Sequence, residues 1–64
     1  MTLGEVKANL NRYVIYTGLN SRYILSAVIM RKNDFDYFYQ AELLDDKNDN
    51  SVLIVSLDQI KSNF

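Results

Sequence analysis

Apolar and polar residues alternate with a period of two from Phe35 to Leu44, the spacing of a half-buried β-strand. Tyr37, Tyr39, Ala41 and Leu43 share one side, and Asp36, Phe38, Gln40, Glu42 and Leu44 share the other. The first side belongs to a core. Two upstream runs are rich in β-branched and aromatic residues. Arg12–Thr17 holds Tyr13-Val14-Ile15-Tyr16, and Arg22–Arg31 is apolar on both parities. The latter predicts a central strand covered on both faces. Ser51–Ser56 is the fourth strand of this reading.

The connections follow from turn chemistry. Gly18-Leu19-Asn20-Ser21 places two residues, Gly18 and Asn20, where positive φ is tolerated. Lys32-Asn33-Asp34 suits a three-residue hairpin loop with one left-handed residue. That loop puts Arg31 opposite Phe35, and pairs Ile29 with Tyr37, Ala27 with Tyr39, Leu25 with Ala41 and Tyr23 with Leu43. Asp45–Asn50 is an uninterrupted polar loop. Val52 and Ile54 then return against Leu43 and Ala41.

Short helical segments flank the strands. Thr2 and Glu5 have capping-box spacing, with Leu3, Val6 and Leu10 on one stripe. This predicts a helix over Thr2–Leu10, ended by Asn9 and Asn11. Ser56 and Gln59 repeat the spacing, so Leu57–Ser62 reads as a single helical or 3₁₀ turn with Ile60 inward.

The sheet so built has two apolar sides. Tyr23, Leu25, Ala27, Ile29, Tyr37, Tyr39, Ala41, Leu43, Val52 and Ile54 make the main core. Ile24, Val28, Met30, Phe38, Val55 and Leu57 make a second patch, diluted by Ser26, Gln40 and Glu42. The fold class expected is mainly β: a strongly bent, four-stranded antiparallel sheet, rolled into a small SH3-like barrel. Its N-terminal helix closes the second patch, around Val28, Phe38 and Val55, and its C-terminus carries the helical turn. The alternative is an α+β arrangement, with a flatter sheet lying on the helix and its other face kept for a partner. One short helix cannot cover a flat four-stranded sheet, which favours the barrel.

Composition narrows the chemistry. Residues 1–64 form one small domain with neither cysteine nor histidine. Disulfides, thiolate metal sites and the usual neutral-pH base are therefore excluded. Lack of cysteine is compatible with a reducing cytoplasm. The sequence shows no signal-peptide pattern and no apolar run of membrane-spanning length. A cytoplasmic protein without membrane contact is expected.

The net charge is −1, unevenly spread: residues 1–33 hold five cations against Glu5, and residues 34–64 hold seven acids against Lys47 and Lys61. Antiparallel pairing of basic with acidic strands explains this more simply than a dedicated basic patch.

Catalysis finds little support. Asp45, Asp46 and Asp49 lack the glycine and terminal glutamate of an EF-hand loop. Glu42 has no catalytic companion, and Ser26 has no activating base. No enzyme, metal or cofactor is expected.

The five tyrosines exceed what one small core needs. Tyr13, Tyr16, Arg22, Arg31 and Phe38 are the candidate interaction residues. Aromatic rings among cations can stack on single-stranded nucleic acid, but the acidic balance of the chain disfavours that footprint. Protein contact, where tyrosine is enriched, is the preferred use.

Val14-Ile15-Tyr16, Tyr23-x-Leu25-x-Ala27, Phe38-Tyr39-Gln40-Ala41-Glu42-Leu43 and Leu57-x-x-Ile60 together resemble small uncharacterised proteins of prophages and mobile elements in low-GC Gram-positive bacteria. That resemblance implies an accessory role inside a host cell, exercised on a host or phage protein. At fold level the strands are similar to Tudor- and KOW-type barrels, an analogy that carries no function.

Overall fold

A computed structural model describes residues 1–63. Thr2 caps helix α1 (Leu3–Ala8): its hydroxyl accepts from the Glu5 N–H at 3.2 Å, and Glu5 Oε1 accepts from the Thr2 N–H at 2.9 Å. Two orphan N–H groups of the first turn are satisfied in this way. Asn9 ends the helix, and Asn11, at φ 65°, swings the chain into the sheet.

Five antiparallel strands follow: β1 (Tyr13–Tyr16), β2 (Ser21–Lys32), β3 (Tyr37–Asp45), β4 (Ser51–Ser56) and β5 (Ile60–Ser62). They form one sheet in the order β4-β3-β2-β1-β5. The fifth strand corrects the expected four. Leu57–Gln59 is the anticipated 3₁₀ turn, with its Ser56/Gln59 capping box in place and Ile60 buried. The chain then continues extended and pairs Tyr16 with Ile60 and Val14 with Ser62. Strands β4 and β5 lie at opposite edges and do not pair, so the sheet is open rather than closed into a barrel.

The register of β2 on β3 contains the main departure from simple alternation. Leu25 stands opposite Leu43, but Ala27 stands opposite Glu42. Ser26 is an extra residue, a β-bulge. Its hydroxyl lies 3.0 Å from the Glu42 carbonyl oxygen and 2.8 Å from Glu42 Oε1. Beyond it the faces of β2 exchange. Val28 now joins Ala41 on the inner side, while Ala27 and Ile29 move to the outer side with Glu42 and Gln40.

The hairpin is also longer than expected. Lys32 pairs with Tyr37 and Arg31 with Phe38, leaving Asn33–Asp36 as the loop. No residue in that loop has positive φ. Asn33 Oδ1 holds it instead, accepting from the N–H groups of Phe35 (2.9 Å) and Asp36 (2.7 Å), as an asparagine turn does. In the β1–β2 turn, Asn20 adopts φ 49° while Gly18 stays negative. Gly18 is needed for space: a Cβ there would meet the Tyr16 ring at 2.6 Å.

The core lies on one side only. Val6, Val14, Leu25, Ala41 and Leu43 are fully buried, with Tyr23, Val55 and Ile60 nearly so. Met1, Leu10, Tyr16, Val28, Leu53 and Leu57 pack around them. The helix thus covers the main core through Val6, and not the patch around Phe38. Strand β4 is inverted relative to expectation. Leu53 and Val55 pair inward with Leu43 and Ala41, whereas Val52 and Ile54 pair outward with Leu44 and Glu42. The molecule measures 37 × 24 × 20 Å, and its β2–β3 hairpin runs past the residues that β1 and β4 pair with. No helix among the described residues is long and apolar enough to cross a membrane.

Candidate functional site

The bulge and the inward helix leave the outer face of the sheet uncovered. One row across it is Val52, Leu44, Ile24 and Tyr13; the next is Ile54, Glu42 and Ala27; then come Gln40 with Ile29, and Phe38 with Arg31. Val52 is 56% exposed, Phe38 41% and Ile54 40%. Apolar groups therefore dominate the face along two strands, with Glu42 as the one charge in the middle rows.

Polar contacts fix its margins. The Arg22 guanidinium lies 4.3 Å above the Tyr13 ring centroid, within cation–π range. The Tyr13 hydroxyl donates to the Asp46 carboxylate. That hydrogen bond, and then the carboxylate's charge, hold the phenol above its ordinary pKa. At the other end the Arg31 Nε–H donates to Gln40 Oε1, beside Phe38.

The hairpin extends this surface. Phe35, at the tip, is 97% exposed, and Asp36 Oδ1 accepts from the Tyr37 N–H at 2.7 Å. Lys32 Nζ sits 5.8 Å from the Tyr37 ring centroid. Phe38 is exposed on the outer face, whereas Met30 and Tyr37, also exposed, lie with Lys32 on the opposite side of the hairpin by register.

Of the five residues singled out by sequence, Tyr13, Arg22, Arg31 and Phe38 lie on the outer face, in two pairs at opposite ends. Tyr16 does not join them. It packs on the core side, edge-to-face with Tyr23 at 6.1 Å between centroids. Alternation along β1 alone separates it from Tyr13. Sequence reasoning missed Val52, Ile54 and Phe35 as exposed apolar residues. For Val52 and Ile54 no signal was present, because Val52-Leu53-Ile54-Val55 is apolar on both parities. For Phe35 the signal was Asn33, whose side chain builds the longer loop.

The acidic loop is structural. Asp45 Oδ1 accepts from the Lys47 N–H at 3.1 Å, and Asp46 is engaged by Tyr13. No three potential metal ligands gather among the described residues, and their surface has no pocket. The Ser26 hydroxyl is held by Glu42 with no third group to complete a relay. Comparison of the chain with protein-family models, curated proteins and solved structures gave no match.

Proposed function

We propose that this is a small, non-enzymatic interaction module that binds another protein through the outer face of its sheet and the adjoining hairpin. The observation that carries this reading is the uncovered apolar strip of Val52, Ile54 and Phe38, prolonged by Phe35. Exposed apolar groups gathered on one face mark contact surfaces, and the flanking tyrosine and arginine are favoured hot-spot residues. The setting we attach to it is the cytoplasm of a bacterial host, in a chain of prophage or mobile-element origin acting on a host or phage protein. The architecture is best read as a half-rolled, SH3-like sheet, open between β4 and β5. The bulge at Ser26 and the return of β5 beside β1 support that reading.

Nucleic acid is the second reading, favoured by cations above tyrosine rings at Arg22–Tyr13 on the outer face and, on the opposite side of the hairpin, at Lys32–Tyr37. Asp36, next to Tyr37 in sequence, and Asp46, bonded to Tyr13, oppose a phosphate backbone.

The test is affinity capture from a bacterial lysate with the wild-type chain and with Phe38→Ser, both checked for folding by circular dichroism. A partner retained by the wild type and lost with Phe38→Ser supports the outer face. A partner held equally by both places the contact elsewhere. Sub-micromolar, steeply salt-dependent binding of single-stranded DNA or RNA would replace the protein reading.

A further inference from the structure

The two edges of the sheet are protected very differently. At one edge, β5 has three residues with Lys61 at its centre. The Met1 nitrogen donates to the carbonyls of Leu57 (2.7 Å) and Ile60 (3.2 Å) beside it. A short, charged, partly occupied strand is poorly suited to recruit another strand. At the other edge, β4 is six residues long, Ser-Val-Leu-Ile-Val-Ser, without charge, proline or bulge. The edge is engaged at one point alone among the described residues, the Ser56 N–H at its end, which donates to the Gln59 side chain.

The ladder identifies which backbone groups of β4 are free. The Ser56 N–H donates to Gln59 Oε1 at 3.0 Å, so Ser56 directs its amide off the sheet. Facing pairs in an antiparallel ladder alternate between bonded and non-bonded. Val52 and Ile54, of the same parity as Ser56, therefore also point their N–H and C=O groups outward from the edge.

We infer that β4 pairs antiparallel with β4 of a second copy of this chain, about a two-fold axis through Leu53. This register keeps both outer faces on one side, because Val52 meets Ile54 of the second copy and Leu53 meets its own equivalent. It uses only the outward groups: each Val52–Ile54 pair exchanges two backbone hydrogen bonds. A register centred on Ile54 is worse, since it sets Val52 against Ser56, whose N–H is already taken by Gln59. The uncharged strand asks for an uncharged partner, and its own sequence is face-matched to itself. The side chains brought together on the outer surface are the exposed Val52 and Ile54. On the inner side, the half-buried Leu53 gains its remaining cover. One strand pair buries less than the ~1,200 Å² of a stable interface, so the dimer is weak and concentration-dependent. It goes beyond the proposed function and does not depend on what the outer face binds.

The experiment is sedimentation equilibrium of the full chain across a wide concentration range, with isotope-mixed NMR at the concentrated end. The mass is expected to move from one chain to two and stop there, with intermolecular contacts between Val52 and Ile54. Ile54→Lys keeps its fold, because Glu42 stands opposite it within the same sheet. It removes both Val52–Ile54 side-chain contacts and should weaken the dimer about tenfold or more. Phe38→Ser should leave the dimer unchanged while abolishing partner capture, which separates this inference from the function reading. A chain that stays monomeric throughout overturns the proposal. So does a mass rising past two chains, as β4 joining β5 head to tail would give, or an Ile54→Lys variant that dimerises like the wild type.

Discussion

The inner and outer faces of this sheet are both rich in apolar side chains, yet they have opposite fates. The inner face is sealed by α1, the 3₁₀ turn and its own strands, with Leu25 and Leu43 fully buried. The outer face has no covering element and keeps Val52, Ile54 and Phe38 exposed. Apolar content alone does not select the core side in so small a domain. Selection comes from the single amphipathic element available, and Val6 can be buried on one side only.

Removal of that cover is the largest expected perturbation. A chain lacking residues 1–10 strips Val6, Met1 and Leu10 from the inner face. Burial of each aliphatic side chain contributes about 1.5–3 kcal/mol, and a folded domain has only about 5–15 kcal/mol in total. The shortened chain should be unfolded or should bind a hydrophobic dye, as circular dichroism and dye fluorescence would show. If it is dye-silent and as stable as the parent, the contrast between the faces is wrong.

Single substitutions sharpen the contrast. Leu43→Ala should cost about 2–5 kcal/mol, and Ala41→Leu, overpacking the same fully buried row, about 1–3 kcal/mol. On the outer face Ile54→Ala should cost only about 0.5–1.5 kcal/mol. Urea denaturation of the purified variants reads all three. An Ile54→Ala loss equal to that of Leu43→Ala would mean that the outer face is covered in solution.

The smallest effects lie at opposite ends of the pH scale. Bonds from the Thr2 backbone N–H and then the Thr2 hydroxyl hold the Glu5 carboxyl below its ordinary pKa. With a depressed folded value, its contribution to the inner cover is complete above the ordinary glutamate range. It is lost as pH falls through the folded pKa. Tyr13 is raised by Asp46, so its contribution on the outer face is complete below the ordinary phenol range. That contribution is lost as pH rises through the folded value. Glu5→Gln should flatten only the acid limb of a melting-temperature profile, and Tyr13→Phe only the alkaline limb. A Tyr13→Phe profile identical to the wild type at high pH would show that the Asp46 contact does not persist in solution.

Legibility from sequence followed the locality of the cause. Thr2 with Glu5, Ser56 with Gln59, and the alternation through Ala41 and Leu43 are set within a few residues, and all were readable. The antiparallel, mainly β class followed from them. The face assignments beyond Ser26 were not readable, because Tyr23–Met30 is apolar on both parities and one extra residue exchanges every later side chain. Strand β5 has only Ile60, Lys61 and Ser62, and exists because β1 offers it a ladder. Among the candidate contact residues, Tyr13, Arg22, Arg31 and Phe38 share the outer face. Tyr16 lies on the core side because positions 13 and 16 have opposite parity in β1, a separation that alternation alone already carries.

The pairing of β1 with β5 also orders events in time. Val14 and Ser62 are neighbours in the sheet but are separated by almost the whole described chain. During synthesis, β1 can find β2 as soon as the first hairpin has emerged, and β3 and β4 can then add in sequence. Ile60, which completes the buried cluster, comes after all four other strands in the chain. Until it pairs, the inner face has a gap beside Tyr16, and the outward edge of β1 is unpaired. Completion of the core therefore waits on the most sequence-distant pairing in the sheet, a long-range contact of the kind that slows folding.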